Sequence, residues 1–276
     1  MLKEQNTVIL TCMDSNFEDN LINDFLKTLR KVAGYQGKIV ILDYGMSIVT
    51  VNSIENEDEN VEIIKCNKDR HIFSARFRDM AGIIGGLSSE ITHVMSIDGG
   101  DIWFQAPIDE VFELCKERIG YIEECYLGNN WWNKQILNLL RTEEMEKLSK
   151  NFRGTRQKNA GMICGPRDIM SKVSDAIGKY VLNNGRDFFG LDQLYFNYII
   201  NNMSENEKIV LPDKYNYVLI DNSQKLIIED NLIYNEKHEL MTVIHNAGGA
   251  KGRIISKGNK KGFDESPYRR VIQIYK

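Results

Sequence analysis

Short, continuous apolar runs alternate with stretches of helical periodicity through the N-terminal part of the chain, and this alternation limits the possible folds more than any other feature. "TVILTC" (Thr7 to Cys12), "KIVILD" (Lys38 to Asp43), "VEIIKC" (Val61 to Cys66) and "THVMSID" (Thr92 to Asp98) show no polar face. Runs of this kind fit strands buried on both sides, as in parallel sheets. After the first run, Leu21, Ile22, Phe25, Leu29 and Val32 share one helical face, and a second helix is predicted over Phe73 to Ile84. The acidic "ENEDEN" (Glu55 to Asn60) reads as a loop. The expectation is an α/β chain with a mostly parallel, Rossmann-like sheet flanked by helices.

The second half is less regular. "IDEVFELCKERI" (Ile108 to Ile119) reads as a helix, "GYIEEC" as a strand and "NKQILNLLRTEEMEKLSK" as mostly helical. "NAGMICG" (Asn159 to Gly165) reads as a strand followed by a helix whose first turn suits Pro166. "GLDQLYFNYIINN" reads as a further helix and "MTVIH" (Met241 to His245) as a late strand. No repeat or Pro-rich linker divides the chain, so residues 1–250 are expected to form one principal domain with a smaller C-terminal acceptor or closing region, and 251–276 a basic tail. That tail carries Lys251, Arg253, Lys257, Lys260, Lys261, Arg269, Arg270 and Lys276 against Asp264 and Glu265. It is open to two readings: a solvated terminus, or a segment that covers an anionic ligand or touches acidic headgroups.

Composition excludes several classes. The 276 residues are 42% hydrophobic and 27% charged, which suits a folded globular chain. A net charge of -4 gives no general drive toward nucleic acid, and none is expected as a partner. Five scattered cysteines (Cys12, Cys66, Cys115, Cys125, Cys164) lack the spacing of a zinc site or disulfide framework. With a six-residue apolar stretch too short for a signal peptide, we expect a cytoplasmic protein, with peripheral contact at the inner membrane face through the tail.

Parallel sheets bind ligands beyond the carboxyl ends of their strands, where this chain carries Asp14, Asp43 and Asp98. Asp98 opens "DGGD" (Asp98 to Asp101), in which two carboxylates flank two glycines. Such a turn offers hard oxygen ligands to Mg²⁺ or Mn²⁺, and equally it is a common turn composition.

Other segments shift that balance. "VILTCMDSNFEDNLINDFLKTL", "VMSIDGGDIWFQAPIDEVFE", "NAGMICG", "GLDQLYFNYI", "LPDKYNYVL" and "VIHNAGG" follow one another in order. Together they resemble the GT-A fold glycosyltransferases, especially the family-8-like group that includes the glycogenins and the bacterial lipopolysaccharide galactosyl- and glucosyltransferases. The resemblance runs from about Val8 to Gly249. Two departures stand out: the aspartates are three positions apart, with Gly100 where the second is usually found, and the His-x-x-Gly turn lacks the Lys-Pro-Trp that often follows, leaving Lys251 and Arg253 as substitutes.

The resemblance implies a hexosyltransferase that uses a nucleotide diphosphate sugar, with UDP as the expected nucleotide, and a glycan or glycolipid acceptor in polysaccharide biosynthesis. It implies Asp98, Asp101 and His245 as ligands of Mn²⁺ or Mg²⁺. Thr11, Asp14, Phe17 and Asp43 then meet the nucleoside, and Lys251 the phosphates. Asp14 has helix capping as its alternative role, and Phe17 core packing. Arg78 is expected at the diphosphate or sugar, with Arg76 an equal competitor because a helix points the two about 200° apart. Asn159, Asp192 and Gln193 surround the transferred sugar, with Gln193 on the reacting face and retention of configuration. His71, His93 and His238 read as structural or exposed, and Trp103, Trp131 and Trp132 are unassigned. A non-catalytic sugar-nucleotide or glycan-binding protein and a sugar nucleotidyltransferase are the competing classes, although the loop "TCMDSNFEDN" lacks the Gly-rich basic character of the latter.

Overall fold

The computed structural model describes residues 3–124, 140, 142–184, 187–219 and 226–247. Cys125, Trp131, Trp132, Lys251, Arg253 and the basic tail lie outside the described residues. The strands are β1 (Thr7–Met13), β2 (Lys38–Asp43), β3 (Val61–Lys65), β4 (His93–Ile97), β5 (Ile102–Phe104), β6 (Ile119–Glu124), β7 (Gln157–Pro166), β8 (Lys208–Val210), β9 (Tyr217–Val218), β10 (Ile227–Glu229), β11 (Leu232–Tyr234) and β12 (Val243–His245).

The main sheet has the order β3-β2-β1-β4-β7-β6-β8. β3, β2, β1 and β4 run parallel, as the continuous apolar runs predict, whereas β7 is antiparallel to both β4 and β6. Every residue of β1 is buried, and its side chains divide between two cores according to the two-residue period of a strand. Val8, Leu10 and Cys12 face one side, where Phe77, Ile84, Ile177 and Phe196 pack. Ile9 and Met13 face the other, with Leu21, Phe25 and Leu29. A buried Leu or Phe contributes about 1.5–3 kcal/mol, so a polar residue in β1 would be costly on either face.

Several elements depart from expectation. The predicted helix after β1 is three segments, Glu18–Asn20, a π-helical turn Leu21–Leu26, and Lys27–Lys31. The Ile108 to Ile119 helix shrinks to Asp109–Leu114 because β6 begins at Ile119. Part of the predicted acidic loop is the end of a helix, Ile48–Glu57, started by Ser47, whose side chain accepts from Thr50 N at 3.2 Å. Its Ile48 and Val49 are exposed, which removes the apolar periodicity that would have announced it.

A small sheet, β5-β12-β9, joins a mid-chain strand to two late ones, and a hairpin, β10-β11, lies between β9 and β12 in sequence. Phe104 N donates to Thr28 Oγ1 at 2.9 Å, and Gln105 Nε2 donates to the Ile233 and Met241 carbonyls, tying these pieces to the core. No helix among the described residues is long and apolar enough to cross a membrane.

Candidate active site

The turn "DGGD" joins the two sheets. Asp98 follows β4, and its backbone N–H donates to the Gly161 carbonyl on β7 at 2.8 Å. Asp101 precedes β5, and its carbonyl accepts from Asn246 N at 2.8 Å beside the Ile102/His245 pair of the small sheet. The three-residue spacing therefore reaches from one sheet to the other without separating the carboxylates. His245 Nε2 lies 3.7 Å from Asp98 Oδ2 and 3.5 Å from Asp101 Oδ1, and one ligand atom from each residue falls within 4.8 Å of the others.

The glycines serve space rather than turning. A Cβ on Gly99 would lie 2.5 Å from Thr11 Oγ1. One on Gly161 would strike His245 Cε1 and approach Asn159 Oδ1 and Asp98 Oδ2 to 2.8 Å. Gly161→Ala is therefore expected to displace His245 and weaken divalent-cation affinity at least tenfold, read by Mn²⁺ titration, while Gly82→Ala, where a Cβ meets nothing, leaves it unchanged.

Electrostatics favour a cation in this cluster. Burial above all raises the Asp98 carboxyl beyond its usual range, with Arg76 and His245 pulling it down and Asp101 adding to the rise. Burial opposes protonation of His245, but Asp101 and Asp98 outweigh it and its pKa is raised. Two oxygen donors and an imidazole are also an acceptable ligand set for Mn²⁺ or Mg²⁺, so the residues fit a divalent ion.

Arg76, not Arg78, enters the site. Its guanidinium forks between Asp98 Oδ1, through Nη1, and Asp192 Oδ2, through Nη2 at 2.7 Å, and it is 3% exposed. Arg78 instead points to Asp69 and Asp79, at 2.9 and 2.7 Å. The reason is helix phase: Ala75, Phe77, Met80 and Ile84 fix the buried side of Ile72–Gly86, and Arg76 projects toward Asp98 beyond β4 and the Ala160 carbonyl of β7.

Two cavities meet at the cluster. One, of about 400 Å³, is lined by Asp14, Asn16, Phe17, Lys68, His71 and Phe73. The other, of about 330 Å³, is lined by Arg76, Asn159, Phe189, Asp192 and Gln193 together with His245. Phe17, Phe73, Asp98 and Asp101 border both. Thr11 is wholly buried and borders neither, and Asp43 uses Oδ1 to accept from Gly45 N and Met46 N at 2.7 and 2.6 Å. Neither of these two expected nucleoside contacts lines a cavity, and Asp43 instead supports the loop that follows β2.

Asp14 keeps its place at the first cavity, where Lys68 Nζ lies 2.9 Å from Oδ2 and Asn16 N donates to Oδ1 at 3.0 Å. Burial opposes ionisation there, but Lys68 and Asn16 outweigh it and lower the carboxyl below its ordinary pKa. His71, read from sequence as structural or exposed, lines the same cavity and stacks on Phe73 at 5.2 Å between ring centres. Sequence reasoning also passed over Lys68, Glu124 and Asn216. Asn216 alone had a signal, its place in "LPDKYNYVL".

The chain matches no protein-family model and no curated protein sequence. Its fold, however, matches solved structures over most of its length. The galactosyltransferase LgtC in complex with donor and acceptor sugar analogs aligns at a TM-score of 0.63 and 12% identity, covering 97% of this chain and 95% of LgtC. An active-site variant of LgtC aligns at 0.59 and 13%, covering 87% of each chain. The bifunctional glycosyltransferase WbbM aligns at 0.56 and 14%, covering 90% of this chain and 47% of WbbM. The chain has the fold of the GT-A glycosyltransferases, with a mostly parallel central sheet flanked by helices.

Proposed function

We propose that the protein is a metal-dependent glycosyltransferase that moves a hexose from a nucleotide diphosphate sugar, a UDP-sugar in the first instance, to a glycan or glycolipid acceptor with retention of configuration. The observation that carries this reading is the Asp98, Asp101 and His245 cluster at the junction of two cavities, beyond the carboxyl ends of parallel strands in a GT-A fold. Asp98, Asp101 and His245 would hold the divalent cation, which would supply Lewis-acid neutralisation of charge on a leaving diphosphate.

The remaining work falls to the chain itself. Phe17 and Phe73 offer apolar faces at the junction of the cavities, and Asp14 offers acceptor oxygens to a ribose or base. Arg76 holds Asp192 at the second cavity, so that this carboxylate is oriented before a sugar hydroxyl arrives. Gln193 follows Asp192 in the first turn of the helix Leu191–Asn202, and its Oε1 accepts from Ala160 N, 3.4 Å away, which fixes its carboxamide beside Asp192. In this reading residues 1–250 are the transferase domain, Lys251 and the following basic segment approach the phosphates or an acidic membrane surface, and the protein works in the cytoplasm.

The test is calorimetric titration of UDP into the wild-type protein with Mn²⁺, then with a chelator, alongside Asp98→Ala. Binding that requires both the metal and Asp98 is the expected result. Equal binding with the chelator would leave a metal-independent nucleotide-binding protein in place of the proposed enzyme.

A further inference from the structure

Behind His245 lies a row of buried amides that ends on a carboxylate. Glu124 is 6% exposed, and both of its oxygens accept: Oε1 from Asn159 Nδ2 at 2.6 Å and Oε2 from Gln157 Nε2. Asn159 Oδ1 in turn accepts from Gly161 N at 2.8 Å and from Asn216 Nδ2 at 3.1 Å. Asn216, wholly buried, turns its remaining oxygen, Oδ1, to His245 Nδ1 at 2.8 Å.

The row has a direction that chemistry forces on it. A carboxylate only accepts, so Asn159 must present its NH₂ to Glu124 and its oxygen to Asn216. Asn216 must then present its own NH₂ to Asn159 and its oxygen to the imidazole. An imidazole facing that oxygen has to carry a proton on Nδ1, so it is the Nε2 proton, facing Asp98 and Asp101, that leaves when the ring becomes neutral and frees a lone pair toward them. Reversing any one amide would set oxygen against oxygen in a buried space, and an unsatisfied buried polar group is costly.

We infer that Glu124, Asn159 and Asn216 are positioning residues, a directional hydrogen-bond chain that sets the tautomer of His245 and so its ability to donate Nε2 to a cation. The inference rests on the proposed metal site for its consequence, but not for its geometry. It gives Asn159 a task beside the sugar contact expected of it, since its Oδ1 and one N–H of its amide are engaged within the chain while the residue still lines the second cavity.

The test reads the tautomer in the metal-free, full-length protein labelled with ¹⁵N-histidine. Long-range ¹H–¹⁵N correlation spectra are recorded at alkaline pH, and His245→Gln identifies the His245 signals. A second readout is Mn²⁺ affinity, followed by the electron paramagnetic resonance of the free ion. Wild type is expected to show the Nδ1–H form. Asn216→Leu is expected to shift His245 toward Nε2–H or a mixture and to weaken Mn²⁺ binding about 10–100-fold, whereas Glu124→Gln, whose amide oxygen can still accept from Asn159 Nδ2, is expected to keep the Nδ1–H form. Asn216→Asp, which still accepts from Nδ1, is expected to keep the Nδ1–H form. An Nε2–H signal in wild type overturns the inference even if a variant fails to fold, and so does an Asn216→Leu protein with unchanged tautomer and affinity. An Nδ1–H signal in a wild-type protein that takes up no Mn²⁺ supports the directional chain and overturns the metal reading instead.

Discussion

Arg76→Met is expected to destabilise the metal-free protein by about 3–5 kcal/mol at neutral pH, the usual cost of breaking a buried ion pair from one side. The substitution strands Asp98 and Asp192, which the guanidinium now bridges at a site where Arg76 itself is almost fully buried. The loss should shrink in acid. Burial already raises the Asp98 carboxyl, and removal of Arg76 takes away an opposing charge, so the folded variant retains a proton that the unfolded chain has released. When the folded state binds more protons, stability falls as pH rises. Urea unfolding of both proteins across the acid range checks this, and equal midpoints at neutral pH would show that the bridge carries little of the fold. Arg76→Lys should recover only part of the loss, because an ammonium lacks the planar fork that serves two carboxylates.

Asp98→Ala is expected to act on chemistry rather than folding. It removes one ligand of the proposed metal site but leaves Arg76 paired with Asp192 and takes out a carboxylate whose ionisation burial opposes. Transfer from a UDP-hexose should fall about 10³-fold or more, the scale expected when charge stabilisation at a leaving group is lost. Circular dichroism should remain that of the wild type. A variant that keeps more than a tenth of the transfer rate would show that the acidic turn does not neutralise the leaving group.

The contrast between these two residues follows what could be read from sequence. Asp98 was legible because a strand with both faces buried announces its own end, and the crevice beyond such strands is where ligands bind. Arg76 and Arg78 were not separable, since both belong to one helix and only packing of Phe77, Met80 and Ile84 decides which arginine turns inward. β5, β9 and β12 are two or three residues long, too short to carry a period, so the small sheet that unites Asp101 with His245 had no signature beyond the late "VIH". Lys68 sits in the loop after β3 and reaches Asp14, 54 positions earlier and just past β1, across the end of the intervening β2. Asn216 stood inside a recognised segment, but its task depends on which way an amide faces, and the residue type alone leaves that open.

β12 lies between β5 and β9, and this placement affects how the protein is made. His245 leaves the ribosome about 147 residues after Asp98, which at about 5–20 residues per second is a delay of roughly 7–30 s. During that interval the central sheet can form while Ile102–Phe104 has no partner strand on the β12 side and Asp101 no histidine. The nascent chain thus holds the proposed chelating site incomplete until β12 has been synthesised, so high-affinity uptake of an ion there would follow formation of the central sheet rather than nucleate it.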